Sequence, residues 1–328
     1  MNRPVRLRIA QLLATPDGLL GGLEHHVLDL CQELATRHEV HLLADPGFAA
    51  ACPDEVHFHA INFRRSRWNP LLYLAVLRCL RPLAPDIIHG HAGKPARLLA
   101  GLRRQFANSV CLATQHGEQK NLTPYMAMDA VIAVSPALAT RYPEGFARTV
   151  PNGRRPPPRL STLEREALRQ RLGLHDRSPV LAAIGRLDPV KGFDLLLSAL
   201  PGVDCQLLLV GEGPARADLS TLADTLGVGA RVQFTGWRDD IPAVLQAADI
   251  CVIPSRSEGF SLVALEALQA GTPVLGSRVG ILPELLPAEW LAPPGDIGAL
   301  AALLTRACAR PDALRAAEVD GFRLASST

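Results

Sequence analysis

Short apolar runs alternate with amphipathic stretches along both halves of the chain. Residues 23–36 are typical of the amphipathic stretches, because Val27, Leu30 and Leu34 recur at helical spacing and share one face. In the first half the apolar runs predict strands at 7–13, 40–44, 56–61, 86–89, 110–114 and 128–134, with helices at 23–36, 69–80 and 94–106. Strands that alternate with helices predict a parallel sheet covered on both faces.

The second half repeats this alternation. Its predicted strands are 180–184, 206–210, 250–253 and 274–275, and its predicted helices are 163–172, 193–200, 215–226, 241–248 and 261–270. Between the halves, the prolines at 151 and 156–158 interrupt regular structure and predict a stiff linker.

We therefore predict a doubly wound, Rossmann-like α/β domain over residues 1–152, a proline-rich linker over 153–160 and a second such domain over 161–328. The two domains would face one another across a cleft. Sheets of this kind bind ligands beyond the carboxyl ends of their strands, so the cleft is the expected site.

Composition narrows the class of protein. The sequence contains no run of about 18 apolar residues, so no membrane-spanning helix is predicted. The basic start of the chain precedes an apolar run that is too short for the core of a signal peptide. The seven cysteines form no C-x-x-C pair, which favours a reducing compartment over a zinc site or disulfide framework. We expect a cytoplasmic protein. The net charge is +2, with the basic excess in the first half, but no nucleic-acid motif accompanies it.

Residues 185–192 follow a predicted strand and precede a helix. Gly185 permits a sharp turn, and Arg186 and Lys191 place two cations at the carboxyl edge, where they would clamp a diphosphate. The alternative is that both are solvated loop charges. The Walker motif and the dinucleotide-binding G-x-G-x-x-G motif are absent, which argues against a P-loop enzyme and a nicotinamide dehydrogenase.

The segment 254–267 suggests a second phosphate-binding element. Gly259 would allow an unusual turn and Ser261 would cap the next helix, with the N–H groups of residues 260–263 directed at an anion. Glu266 leans back toward the helix start and suits a ribose hydroxyl, whereas Glu258 lies on the loop. The alternatives are a capping or paired Glu266 and a plain loop charge at Glu258.

Several motifs in series resemble the retaining GT-B glycosyltransferases of family GT4. They are Gly21-Gly22-x-Glu24, His116-Gly117, Val134-Ser135, residues 150–153, G-R-L-x-x-x-K-G at 185–192, residues 210–214, Phe234-Thr235-Gly236 and the E-x7-E pair Glu258/Glu266. The resemblance extends from the first strand to about residue 310. It implies a GT-B fold and a transfer of hexose from a UDP-, GDP- or ADP-linked donor to a glycan or lipid-linked acceptor.

The resemblance also implies a role for each matching residue. Arg186 and Lys191 would neutralise the donor diphosphate, and Glu266 would hold its ribose. Glu258 and His116 would lie near the transferred sugar, so we assign His116, Arg186, Lys191 and Glu258 as catalytic. The remaining donor-binding residues are then Gly21, Gly22, Gly185, Gly236, Trp237, Gly259, Phe260, Ser261 and Leu262. Trp237 is equally well explained as a packing residue.

No D-x-D motif occurs, so neither a metal nor another cofactor is expected. His89 and His91 end a predicted strand, where an acceptor-side role stays open; His25, His26, His41, His57 and His59 lack a supporting motif. The enzyme is expected to act in lipopolysaccharide or exopolysaccharide synthesis. An epimerase and a non-catalytic GT-B binding protein remain as alternatives.

The acceptor side is less defined. Arg64, Arg65, Arg67 and Trp68 precede an apolar helix, which suits peripheral contact with the inner membrane surface. An ordinary core helix after a basic loop is the alternative.

Overall fold

The computed structural model describes residues 6–16, 20–153, 156–174 and 178–317. The chain divides into two compact units, residues 1–152 and 153–328. The sequence also predicts a glycine-rich turn over residues 18–22, but its Gly18 and Leu19 lie outside the described residues. The same holds for Arg154 and Arg155 of the predicted linker and for the last eleven residues of the second predicted domain.

The N-terminal unit is a seven-stranded parallel sheet of order β3-β2-β1-β4-β5-β6-β7. The strands are β1 Arg8–Leu13, β2 Glu39–Ala44, β3 His57–Ala60, β4 Ile87–His91, β5 Val110–Gln115, β6 Ala130–Ala133 and β7 Ala147–Thr149. The helices are α1 Gly22–Ala35, α2 Pro70–Leu83, α3 Gly93–Leu102, α4 Thr123–Met126 and α5 Pro136–Ala139.

Alternation along the strands covers both faces of this sheet. Leu42 of β2 packs with Val27 and Cys31 of α1 on one face. Its neighbour Leu43 packs with Leu72 of α2 on the other face. Successive strand side chains point to opposite faces, so one apolar run supplies two cores.

The C-terminal unit is a six-stranded parallel sheet of order β10-β9-β8-β11-β12-β13. The strands are β8 Val180–Ile184, β9 Gln206–Val210, β10 Val232–Gly236, β11 Ile250–Ile253, β12 Val274–Ser277 and β13 Leu291–Ala292. The helices are α6 Thr162–Arg171, α7 Phe193–Ala199, α8 Arg216–Thr225, α9 Ile241–Ala247, α10 Leu262–Ala270, α11 Leu282–Leu285, α12 Ile297–Ala309 and α13 Pro311–Ala317.

The prediction of two doubly wound α/β domains is confirmed, and the bounds predicted for β8, β9 and β11 match the structure. Three strands that the prediction omitted, β7, β10 and β13, all lie at sheet edges or end a sheet. An edge strand pairs with one neighbour rather than two, so a short or half-exposed segment is enough to form it. The apolar pattern that would predict such a strand from the sequence is therefore weak. Among the described helices, none is both long and apolar enough to cross a bilayer.

Candidate active site

The loop after β8 carries Arg186 and Lys191, the two cations of the C-terminal unit that are predicted to bind the diphosphate. Gly185 has a φ of 154°, and a Cβ there would lie 3.5 Å from Cε of Lys191. Arg186 turns outward: its Nε donates to Oδ2 of Asp188 at 2.6 Å, and its side chain is 74 % exposed. The other carboxylate oxygen of Asp188 accepts from the backbone N–H of Val190 at 3.2 Å. The Asp188 carboxylate thus stabilises the turn through one oxygen and binds the Arg186 guanidinium through the other.

Lys191 and Glu258 meet across two loops. Nζ of Lys191 donates to Oε1 of Glu258 at 2.7 Å, and the hydroxyl of Ser255 donates to the same oxygen at 2.7 Å. The two charged side chains are 25 % and 10 % exposed. Partial burial strengthens this pair relative to one in open solvent. The predicted catalytic residues Lys191 and Glu258 are therefore in contact, whereas Arg186 forms an ion pair with Asp188.

Close backbone approach brings these loops together. Gly192 has a φ of 66°, and a Cβ on it would lie 2.1 Å from the carbonyl oxygen of Pro254. Arg256 ties the same loops, because its N–H donates to the carbonyl of Val190 at 2.8 Å and its guanidinium pairs with Asp194 at 2.6 Å. Only glycine fits the first of these positions without displacement of the β11 loop.

The start of α10 corrects two predictions. Ser261 occupies the N-cap position, but its side chain makes no capping hydrogen bond, because the residue has a φ of 80° and a ψ of 81°. This left-handed conformation differs from the extended one that lets an N-cap side chain reach the helix N–H groups. The unusual turn also falls at Ser261 rather than at Gly259, which is not among the described positive-φ residues. A strained non-glycine residue at such a point is typical of functional sites.

The remaining donor-side residues surround this edge. Phe260 is buried, and its carbonyl accepts from the N–H of Ile281 at 3.1 Å. Leu262 begins α10, and Glu266 lies one turn further in and is half-buried.

The end of β10 carries two of the predicted donor-binding residues, Gly236 and Trp237. The carbonyl of Gly236 accepts from the N–H of Gly211 at 2.9 Å, which joins the loops after β10 and β9. Trp237 follows and is 63 % exposed. An indole this exposed contributes little to the core, which disfavours the packing alternative and leaves its ring accessible.

In the N-terminal unit, four histidines lie within ring-contact distance of one another in succession. Nδ1 of His91 is 3.2 Å from Nε2 of His116, and the ring centroids of His26 and His116 are 5.4 Å apart. The centroids of His89 and His91 are 4.2 Å apart. His89 and His91 alternate with Gly90 on β4 and so share one sheet face, on which α1 brings His26 close. Sequence patterns gave no reason to join His26 to this group.

Burial keeps three of these imidazoles, those of His89, His91 and His116, neutral. It lowers the pKa of His89 to about 3, with His26 adding a smaller repulsion. Burial likewise lowers the pKa values of His91 and His116, and neighbouring histidines lower them further. A charged imidazole in this group would lose hydration and face like charges.

With the Gln11 amide oriented as in this structure, the hydrogen bonds assign the protons of the ring nitrogens. Nε2 of His91 lies 2.8 Å from Oε1 of Gln11, an oxygen that can only accept. Nε2 of His91 is therefore the donor, and Nδ1 of this neutral ring accepts from Nε2 of His116. His116 is left with an unprotonated Nδ1, a hydrogen-bond acceptor. Gln11 and His91 are thus the residues behind His116 that the sequence did not indicate.

Gly21 and Gly22 introduce α1. The N–H of Gly21 donates to Oε2 of Glu24 at 2.9 Å, and the hydroxyl of Thr15 donates to Oε1 of the same carboxylate at 2.5 Å. Glu24 is buried, so it fixes the backbone at the start of the helix. A carboxylate three residues into a helix is the familiar signal for such a cap. Gly22 is exposed.

The structure has two parallel α/β units with Rossmann-like strand order, and polar side chains lie where the strands of each unit end. This combination defines the GT-B architecture. Two family descriptions match nearly the whole chain: Glycosyltransferase Family 4 matches residues 20–156, and Glycosyl transferases group 1 matches residues 164–318. The chain belongs to the GT4-type glycosyltransferases.

Individual relatives support the same assignment. A D-inositol 3-phosphate glycosyltransferase of Mycobacterium sp. (strain KMS) is 42 % identical over 128 residues, which are 37 % of this chain and 29 % of that protein. The aligned part is thus less than a third of the relative's length.

Two solved structures share the fold. HepE of Anabaena, in complex with UDP and glucose, superimposes with a TM-score of 0.83 at 23 % identity, over 98 % of this chain and 95 % of that one. Sucrose-phosphate synthase of Thermosynechococcus elongatus gives a TM-score of 0.83 at 26 % identity, over 98 % and 94 %.

Proposed function

We propose that the protein is a retaining, metal-independent glycosyltransferase that moves a hexose from a nucleotide-diphosphate sugar to a glycan or lipid-linked acceptor. The observation that carries this proposal is the contact of Lys191 with Glu258, which lies three residues before the N-cap of α10. A cation, a carboxylate and a helix N-terminus are thus collected at one sheet edge. The first and third attract phosphate, and the second suits sugar hydroxyls.

The donor would displace contacts that the side chains now make with each other. Arg186 is exposed and paired with one carboxylate, so it is free to turn toward a diphosphate. Lys191 would shift from Glu258 to the phosphate, which releases Glu258 toward the sugar. Glu266 would accept from ribose hydroxyls and Trp237 would stack on the base. Gly21 and Gly22 would approach the diphosphate, and Nδ1 of His116 would accept from a sugar hydroxyl.

In the proposed reaction, the bond between the anomeric carbon and the terminal phosphate oxygen breaks. A bond from the acceptor oxygen to that carbon forms on the same face, and the acceptor proton passes to the departing phosphate oxygen. The charge on the leaving nucleoside diphosphate would be stabilised by Arg186, Lys191 and the first N–H groups of α10. These two cations would perform the task that a divalent metal performs in other transferases, so turnover should persist in EDTA.

We further propose that the acceptor is lipid-linked, as in lipopolysaccharide or exopolysaccharide synthesis, and that the enzyme contacts the inner membrane surface from the cytoplasm. Support comes from α2, whose Leu72 is buried while Leu71 and Leu74 are 55 % and 39 % exposed. Trp68, 65 % exposed, precedes them beside Arg65. Exposed apolar side chains next to arginines suit the headgroup region of anionic lipid.

The test is donor hydrolysis and transfer with a panel of UDP-, GDP- and ADP-sugars. The variant Arg186→Met/Lys191→Met should lose turnover by at least about a thousandfold, since each cation stabilises the leaving group, while its circular dichroism stays unchanged. Arg171→Met/Arg310→Met, which removes two exposed charges elsewhere in the same unit, is the matched control. Wild-type turnover in the first variant would refute the proposal. A product of inverted anomeric configuration would refute the retaining mechanism, and an epimerised sugar nucleotide would favour an epimerase.

A further inference from the structure

A cavity of about 110 Å³ opens in the N-terminal unit, between the loop before α2, the start of α3 and the loop that leads into α4. A water molecule occupies about 30 Å³ of liquid, so the cavity has room for a small group of several atoms. Its wall includes Arg67, Trp68, Arg97, Gln119, Asn121 and Tyr125. None of the side chains that line it is acidic.

The cavity carries an excess of positive charge. Within the described parts of the chain, no ion pair involves Arg67 or Arg97. The guanidinium carbon of Arg97 lies 3.8 Å from the centre of the Trp68 ring, which holds the group in place without neutralising it. The charge of Arg67 adds to burial in lowering the pKa of Lys94, the second residue of α3. Such a site favours an anion.

Tyr125 supplies an independent indication of a ligand. It is 1 % exposed, and its hydroxyl has no hydrogen-bond partner among the residues that the structure describes. A buried hydroxyl without a hydrogen-bond partner destabilises the folded state unless a bound group or a water molecule satisfies it. Tyr125 lines the cavity, so a shift of its ring would let the hydroxyl donate to a group bound there.

A larger cavity in the C-terminal unit, of about 200 Å³, provides a contrast. Its Arg165 donates to the carbonyl of Gln246 at 2.8 Å and to Asp249 at 2.9 Å, and its Arg159 donates to the carbonyl of Ala270. These two guanidinium groups are already engaged within the protein, whereas Arg67 and Arg97 have no hydrogen bond or ion pair among the described residues.

We propose that the cavity of the N-terminal unit binds a phosphoryl group, and that this group belongs to the acceptor. The second half of this statement rests on the proposed function. Arg67 and Arg97 would pair with the phosphoryl oxygens, which guanidinium groups bind with two parallel hydrogen bonds. Gln119, Asn121 and the hydroxyl of Tyr125 would donate to the same oxygens. The exposed part of Trp68 would contact the apolar side of the attached sugar or lipid.

Two sources can carry such a group, a soluble sugar phosphate or a phospholipid headgroup, and two probes separate them. Calorimetry without nucleotide sugar measures the binding of glucose 6-phosphate, with inorganic phosphate and glucose as references. Sedimentation measures binding to vesicles of phosphatidylglycerol, with phosphatidylcholine as the reference. We expect glucose 6-phosphate, phosphatidylglycerol vesicles or both to bind. Glucose should bind more weakly than glucose 6-phosphate, and phosphatidylcholine vesicles more weakly than phosphatidylglycerol vesicles.

The variants are Arg97→Gln, Tyr125→Phe and the control Arg104→Gln, which removes an exposed charge of the same unit away from the cavity. Loss of a hydrogen bond to a charged group should weaken binding about tenfold or more in the first two, and Arg104→Gln should bind like wild type. Tyr125→Phe should unfold at the same urea concentration as wild type or a higher one, because only an unpartnered hydroxyl is removed.

Equal binding by all four proteins, or an equal loss in Arg104→Gln, would overturn the proposal, as would the absence of binding to both probes. UDP binding measured on the same proteins keeps the two hypotheses apart. If wild type binds the phosphoryl probe but no nucleotide, the proposed function fails and the phosphoryl site stands.

Discussion

Replacement of Lys191 by methionine tests whether its charge serves the protein or the donor. In the structure Glu258, only 10 % exposed, accepts from Lys191 at 2.7 Å. Exposed ion pairs contribute up to about 1 kcal/mol, whereas removal of one partner from a fully buried pair costs about 3–5 kcal/mol. This pair is intermediate in burial, so we expect Lys191→Met to lower the free energy of unfolding by about 2 kcal/mol.

A second change in the same variant separates the two roles. Glu258→Gln removes the unpaired carboxylate and keeps an oxygen that accepts from Ser255. The double variant Lys191→Met/Glu258→Gln should therefore recover most of the lost stability. Transfer should stay reduced by at least about a hundredfold, the usual effect of removing one group that stabilises a developing oxyanion.

The assay is a cycle of four proteins: wild type, both single variants and the double variant. Urea unfolding without nucleotide gives the free energies, and initial rates with the best donor give turnover. Recovery of turnover together with stability in the double variant would show that Lys191 serves only to neutralise Glu258. Unchanged stability in Lys191→Met would mean that the ion pair contributes nothing in solution.

Three further predictions concern the framework. Gly192→Ala should lower the free energy of unfolding in urea by about 2 kcal/mol or more, because the new Cβ would lie 2.1 Å from a carbonyl oxygen. The control is Gly202→Ala, where φ is 83° and a Cβ would meet nothing within 4 Å. This variant should lose only about 1 kcal/mol, from conformational strain. Equal losses would contradict the clash. Ser161→Ala removes the cap that accepts from the N–H of Glu164, so the unfolding free energy should fall by about 1 kcal/mol at unchanged turnover; lost turnover would contradict a purely structural role. The pKa of His89 is lowered from 6.5 to about 3, so its contribution to stability is complete above pH 6.5 and declines below it, by up to about 1.4 kcal/mol per pH unit, as the unfolded chain takes up the proton first. His89→Gln should show a shallower decline between pH 6 and 4.5 in urea unfolding, and an identical slope would refute the burial argument.

Sequence by itself determined the architecture of each unit. The continuous apolar runs at β8, β9 and β11 are central strands buried on both faces, and such strands leave few polar positions to obscure the pattern. The fixed order of short motifs indicated the family, because each motif lies where a strand ends and a ligand can approach. Neither conclusion required knowledge of which side chains touch.

Contacts between distant residues were decided only by the tertiary structure. β4 was predicted to end at His89, because His-Gly-His does not read as an apolar run, yet the strand continues to His91 and buries both imidazoles. The left-handed conformation of Ser261 is likewise hidden in the sequence, since serine ordinarily caps a helix. Pairing of Lys191 with Glu258, 67 positions apart, follows from the parallel register that brings two strand ends to one edge. Local patterns report propensity and burial, whereas these features depend on what the rest of the chain places beside each residue.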